Sequence, residues 1–247
     1  MDLVQKGSQT AKNGFKNEQD ICDKFNNWKN DIEAKNWLLI MNYNLEEIET
    51  VNAVVLHGFK ADVNVQVKIK LKTAIDTENI QVKLVSNKKG FNQVDKRWLS
   101  HYKEMWNIPE NIFTLLQYYT GELKPYKSGT KDSRRMFITE FNNEEQKLLL
   151  NWFKSNKTLI LTDIIKGRGQ FSAEWILVAQ KIENNARWTL VNINEALQHY
   201  SDGDVQISPK GSLYLGKITI QRKGGDNGRE TANMLQFKLD PTHLFDL

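Results

Sequence analysis

Cysteine is almost missing from this chain: Cys22 is the only one in 247 residues. A lone thiol cannot close an intrachain disulfide and gives no zinc site, which fits a reducing compartment, so a cytoplasmic protein is expected. The four histidines (57, 101, 199, 243) are scattered and show no ligand spacing. Long apolar runs are missing too. The stretches around Trp37–Met41 and Thr158–Ile165 are far too short to span a bilayer. The opening MDLVQKGSQTAKNGF lacks the apolar core of a signal peptide, so no membrane partner is expected. Low-complexity tracts and internal repeats are absent. Neither sign of charge dominates: the net charge is +4, only a mild hint of a polyanionic partner.

What is present is ordinary globular composition, 26% charged and 40% hydrophobic, read as one α/β domain over residues 1–247. The basic residues cluster locally. Lys88, Lys89, Lys96 and Arg97 crowd one segment, Lys131, Arg134 and Arg135 another, and Arg222, Lys223 and Arg229 a third.

Residues 16–30 read as an amphipathic helix, with Ile21, Cys22, Phe25 and Trp28 at helical spacing. Glu18 shares that apolar face. It is either a solvated acid favoured by the helix dipole or a functional carboxylate. From 53 to 70 the chain alternates: Ala61, Val63, Val65, Val67 and Ile69 against Asp62, Asn64, Gln66, Lys68 and Lys70. A polar turn at Asp76–Asn79 is expected next, then Ile80, Val82 and Leu84 alternate against Gln81 and Lys83. The two runs predict an antiparallel hairpin with one apolar and one polar face, and Asp62, Gln81 and Lys83 on the polar one. After a loop at 86–93 the pattern predicts a helix over 94–106, a break at Pro109, and helices at 110–120 and 143–155. Strands are expected at 158–165 and 174–180, a short helix at 193–200, and a closing hairpin of strands 212–222 and 234–239 around a glycine-rich turn. Without regular βα alternation, this predicts a mixed sheet flanked by helices.

Metal-assisted phosphodiester cleavage needs oxygen ligands for a hard cation and a group to ready water or stabilise phosphate charge. Asp62 would be the main Mg²⁺ ligand, with the Gln81 side-chain oxygen and the Val82 carbonyl beside it. Lys83 would act on the water or the phosphate. A glutamine in place of a carboxylate removes one negative charge, and Glu18 is the acid nearest to hand. The tripeptide is not distinctive alone. Q-x-K also occurs at Gln66, Gln221 and Gln236, as alternating polar strand faces readily produce. Gln66 stands about 13 Å along the strand from Asp62. Asp226, ten residues before Gln236, sits in a glycine-rich turn that aspartate commonly shapes.

In this order, Glu18 on a helix, Asp62 on a strand, then Gln81-x-Lys83, the chain resembles the PD-(D/E)xK nuclease superfamily. It departs at Ala61, where proline is usual, and at Gln81, where an acid is usual. The D…QxK variant is similar to that of a small group of type II restriction endonucleases. The whole chain, and Gln221–Lys238 (QRKGGDNGRETANMLQFK) above all, resembles the GCGC-cutting members. The resemblance implies a restriction-endonuclease-like fold with a catalytic core at about 10–120. It implies Mg²⁺-dependent cleavage of double-stranded DNA at a four-base GC-only palindrome, with a cognate methyltransferase as functional partner. A monomer or a weak homodimer would both serve. A catalytically inactive DNA-binding module and a repair or structure-specific nuclease are the alternatives.

Recognition elements are expected in 86–97 and 212–240. A GC-only site needs donors for guanine and acceptors for cytosine in the major groove. Arg222 and Arg229 would serve guanine and Asp226 cytosine, with Lys223 and Asn227 in the same turn. The competing reading is a hairpin turn with a solvated charge cluster. Lys88 and Lys89 suit phosphates, while Phe91, Asn92 and Gln93 would probe a groove or wedge at a base step. The alternative packs Phe91 onto the hairpin.

Overall fold

The computed structural model describes residues 3–56, 65–225 and 229–247. In chain order the helices are α1 (Leu3–Asn26), α2 (Ile32–Ile40), α3 (Leu99–Trp106), α4 (Glu110–Thr120), α5 (Asn143–Ser155), α6 (Lys157–Ile165) and α7 (Ile193–Ser201). The strands are β1 (Ile48–Val55), β2 (Val65–Leu71), β3 (Ile75–Val85), β4 (Asn92–Arg97), β5 (Trp175–Ile182), β6 (Asn185–Asn192), β7 (Val205–Ile207), β8 (Leu213–Leu215), β9 (Ile218–Arg222) and β10 (Leu235–Leu239). They divide into two compact units, one drawn from 1–92, 165–196 and 240–247, the other from 93–164 and 197–239.

The first unit is built on a five-stranded sheet in the order β1-β2-β3-β5-β6. It is mixed as expected: β3 and β5 run parallel and the other pairings are antiparallel. Helices α1 and α2 cover one face. Ile21, Cys22 and Phe25 of α1 and Trp37 and Leu38 of α2 bury against Val65, Val67, Ile69, Ile80, Val82 and Leu177. Each such large side chain contributes about 1.5–3 kcal/mol on full burial. The Asn26 amide ties the end of α1 to β1, donating to the Ala53 carbonyl at 3.1 Å and accepting from its N–H at 2.7 Å.

The hairpin of β2 and β3 is antiparallel as predicted, but its turn comes earlier. Leu71 N–H donates to the Ala74 carbonyl at 2.8 Å, so the chain reverses at 72–74. Asp76–Asn79 are strand, paired with Ile69–Gln66. Being polar cost these residues little, because Asp76 and Thr77 lie at an exposed strand end. At β3 and β5 the face expected to be open is covered, while Lys68 and Lys70 of β2 stay exposed on it. Gln81 and Asn79 are buried, and every residue of β5 from Trp175 to Gln180 is buried.

The second unit carries another five-stranded sheet, β4-β10-β9-β8-β7. Three expectations change here. The helix expected over 94–106 divides into β4 and α3, with Trp98 extended at the junction. Asp95, buried on β4, accepts from the Arg97 guanidinium at 3.0–3.1 Å and from the Tyr102 hydroxyl at 2.7 Å. The strand expected at 158–165 is α6, with Ile160, Leu161 and Ile164 buried and Asp163 accepting from Trp106 Nε1 at 2.8 Å. The strand expected at 212–222 breaks at Gly216, whose φ is +60° and where a Cβ would stand 2.5 Å from the Tyr200 carbonyl. The closing hairpin of β9 and β10 forms as expected.

Candidate active site

The register sets Gln81 against Ile176 and Lys83 against Val178 of β5. Strand alternation sends both polar side chains to one face and Ile80 and Val82 to the other, against α1. Val82, its side chain on the apolar face, therefore has only its backbone carbonyl to offer. Gln81 is 1% exposed, and its Oε1 is buried without a hydrogen-bond partner among the described residues. Leaving a buried acceptor unpaired costs about 1–3 kcal/mol. A neutral oxygen in that condition suits a hard cation, which takes amide carbonyls as well as carboxylates. Lys83, half-buried, stands two residues along on the same face.

The four Q-x-K occurrences now separate. Gln66 donates to Asn79 Oδ1 at 3.0 Å. Gln236 is directed at the carbonyls of Arg222 and Lys223, at 3.5 and 3.4 Å. Gln221 is half-buried on β9. Gln81 is the one whose carbonyl oxygen is buried and unpaired among the described residues.

Asp62 lies outside the described residues. Among those described, no three His, Cys, Asp or Glu side chains cluster as metal ligands. Glu18 sits half-buried on α1, the helix that packs on the opposite face from Gln81 and Lys83. The structure therefore does not bring it onto the face that those two share. Its charge is felt at Cys22, one turn on: burial first, then Asp23 and Glu18, push that thiol up to about 12 and keep it protonated. Sequence reasoning passed over Asn17. It is 2% exposed, and neither its Oδ1 nor its Nδ2 has a partner among the described residues. The signal was there, since Asn17 precedes Ile21 by one turn and so stands on the apolar stripe.

The loop after β3 is anchored at both ends. Gln180 Nε2 donates to the Asn87 carbonyl at 2.8 Å, and Asn92 Nδ2 to the Leu84 carbonyl at 2.8 Å. Asn92 thus spends its amide donor bracing the loop. Between these anchors Lys88 and Lys89 are exposed and Phe91 is 60% exposed, so Phe91 is presented to solvent rather than packed on the hairpin. Gln93 is exposed on β4.

In the second unit, the hairpin hydrogen bonding continues past β9 to Lys223 and Gly224, which donate to Met234 and Ala232. Arg222 grips Asn233 Oδ1 at 2.7 Å. Burial first, then the charges of Arg135 and Arg134, lower the pKa of Arg222. Gly121, at φ +88°, ends α4 where a Cβ would meet the Arg134 carbonyl at 2.9 Å, so the chain at 134 and 135 lies close over the helix end. Arg135 stacks on Phe137, 4.0 Å from the ring centre. Lys223 is half-buried and Arg229 exposed, while Asp226 and Asn227 lie outside the described residues.

A mixed sheet flanked by helices is the architecture this chain shares with a restriction endonuclease. A crystal structure of the restriction endonuclease MspI in complex with its cognate DNA superposes with a TM-score of 0.65 over 96% of this chain and 93% of that one, at 13% sequence identity. At that identity the likeness establishes the fold. The model of the R.HinP1I restriction endonuclease family matches residues 41–245. The chain belongs to that family and is a type II site-specific endonuclease. The matched span includes Gln81, Lys83 and the closing hairpin, and begins after α1. No curated protein matches the sequence.

Proposed function

We propose that the protein hydrolyses double-stranded DNA in a Mg²⁺-dependent reaction at a four-base GC-only palindrome, GCGC. The observation that carries the metal reading is the Oε1 of Gln81, buried beside Lys83 and unpaired among the described residues. Asp62, Gln81 Oε1 and the Val82 carbonyl hold the ion. When bound, it supplies Lewis-acid stabilisation of phosphate charge and a more acidic water. Lys83 holds its ammonium toward the same face, where it stabilises charge developing on the phosphate. Glu18 offsets the missing carboxylate charge at longer range, from the helix side of the sheet.

Arg222, Lys223, Asp226, Asn227 and Arg229 read the bases from the closing hairpin. The lowering of the Arg222 pKa, by burial first and then by the charges of Arg135 and Arg134, supports a polyanionic partner, since clustered guanidiniums are relieved by phosphates. Lys88, Lys89, Phe91, Asn92 and Gln93 approach DNA from the other loop. The protein acts in the cytoplasm as a monomer or weak homodimer, with a cognate methyltransferase protecting host sites. No helix of the described residues is long and apolar enough to cross a membrane.

The test is a plasmid digest with Mg²⁺ followed by sequencing of fragment ends. GCGC at every junction is expected, and scattered ends would refute the assignment. Asp62→Ala and Lys83→Ala should each lose cleavage while retaining a gel shift. Cutting by Asp62→Ala would sink the catalytic reading.

A further inference from the structure

A cleft of about 220 Å³ opens beside α1 at the ends of β3 and β5, lined by Asn13, Lys16, Asn17, Asp20, Leu84, Ser86 and Lys181. The four α1 residues are spaced to form a single stripe along the helix. Such a stripe, next to Ile21 and facing strand ends, would ordinarily be apolar. Here it is polar, and Asn17 at its centre is 2% exposed with neither amide atom paired among the described residues. Buried side-chain amides are nearly always satisfied, so one that is unpaired on both ends and lines a cleft points to a ligand.

The lining fixes the ligand's sign. Lys181 Nζ already neutralises Asp20, at 2.7 Å, and Lys16 leaves the cleft with a net positive charge. The donors are the ammoniums of Lys16 and Lys181, the amides of Asn13 and Asn17 and the hydroxyl of Ser86. The one carboxylate is tied to a lysine, which disfavours a divalent cation and favours an oxyanion. Ser86 also begins the loop that displays Lys88 and Lys89, so cationic side chains continue from the cleft along the chain.

We infer that this cleft binds a backbone phosphate of duplex DNA other than the scissile one, with Asn17 Nδ2 and Lys16 Nζ as its principal donors. Gln81 and Lys83 point to the opposite face of the sheet, so the two phosphates are distinct. The inference rests on the DNA-cleaving reading given above.

Anisotropy titrations of a labelled GCGC duplex in EDTA, at several salt concentrations, test it. Lys16→Ala should reduce the slope of log K against log [salt] by about 0.9, the counterion release of one phosphate contact. Asn17→Leu should weaken duplex binding several-fold at fixed salt without lowering the melting temperature. Lys16 is exposed, so its variant keeps the test available should Asn17→Leu fail to fold. Wild-type binding with an unchanged slope in Lys16→Ala and unchanged affinity in Asn17→Leu overturns the inference and leaves the DNA-cleaving reading intact. No duplex binding by the wild type overturns that reading and the inference with it. A shift of the Asn17 side-chain amide NMR signal by inorganic phosphate, with duplex affinity unchanged in both variants, assigns the cleft to free phosphate instead and overturns the duplex inference.

Discussion

Gln81→Glu tests the central feature directly, because it keeps the size of the side chain and exchanges only the amide NH2 for an oxygen that carries either a charge or a proton. Position 81 is 1% exposed, and the oxygen it presents has no donor among the described residues. A carboxyl placed there would be desolvated, raising its folded-state pKa above the unfolded value near 4.3, on the order of 3 units for a fully buried group. At about 1.36 kcal/mol per unit, that is a cost of roughly 4 kcal/mol at high pH. Lys83 offsets part of it. Two strand residues give a separation of about 7 Å, hence an attraction of roughly 2.4 kcal/mol at an effective dielectric of 20. The net expectation is a loss of about 2 kcal/mol without metal. Because the folded pKa is the raised one, the loss is absent below about pH 4, grows through the window up to the raised value, and then levels off. Mg²⁺ should restore the stability, since a carboxylate is a better ligand than an amide. Urea unfolding across pH, with EDTA or with Mg²⁺, measures this. A variant matching the wild type in pH dependence and in response to Mg²⁺ would show that Gln81 does not face a cation site.

Phe91→Ala should leave stability within about 0.5 kcal/mol, as for an exposed side chain, while lowering cleavage in the plasmid digest. Asp31→Ala removes the α2 N-cap, whose oxygen accepts from Ala34 N–H at 2.9 Å, and should cost about 0.5–2 kcal/mol by urea unfolding. The Asp31 pKa is lowered: burial opposes this, but the Ala34 N–H and then Lys24 outweigh it. Its contribution is therefore present above the unfolded aspartate value and fades as pH falls through the lower folded value, so variant and wild type should converge in acid. Trp106→Phe deletes the indole donor to buried Asp163 and should cost about 1.5–3 kcal/mol, the range for a bond to a charged group. An unchanged urea midpoint would show that this contact is dispensable.

Legibility in the sequence followed periodicity. The β2–β3 hairpin, the core face of α1, α5 and the closing hairpin were readable because each buries one face against a polar other. Three segments were not, for distinct reasons. TLILTDII of α6 is apolar nearly all round, and such a run fits a buried strand as well as a helix. Residues 94–106 mix two periods, since Leu99, Tyr102 and Trp106 repeat at helical spacing just after a strand that buries Asp95. Asp76–Asn79 looked like a turn from composition, but partners far along the chain stabilise the strand there. Asn79 Nδ2 donates to the carbonyls of Gln170 and Ser172, and Glu78 accepts from Tyr43 and Trp175. Long-range pairing of that kind leaves no trace in local sequence.

The same limit governs the site. From sequence, Gln81 is one of four glutamines two residues before a lysine, and only the expected hairpin with Asp62 sets it ahead. Burial and hydrogen bonding separate them, because the other strands find partners or solvent for their amides while Gln81 leaves its oxygen unused among the described residues. That oxygen also bears on why the residue is not an acid. Beside β5, whose residues from Trp175 to Gln180 are all buried, a carboxylate would oppose folding whenever metal is scarce, by the roughly 2 kcal/mol worked out above, whereas an amide carries a smaller and pH-independent penalty. On the proposed metal reading, the glutamine trades metal affinity for a strand that folds without an ion. A compensating acid such as Glu18 belongs where it can remain partly solvated, and half-buried α1 on the far side of the sheet is such a place. On this argument Gln81→Glu and Glu18→Gln are coupled through the metal. Glu18→Gln should raise the Mg²⁺ concentration giving half-maximal cleavage by less in the Gln81→Glu background than in the wild type, and strict additivity of the two effects would refute the coupling.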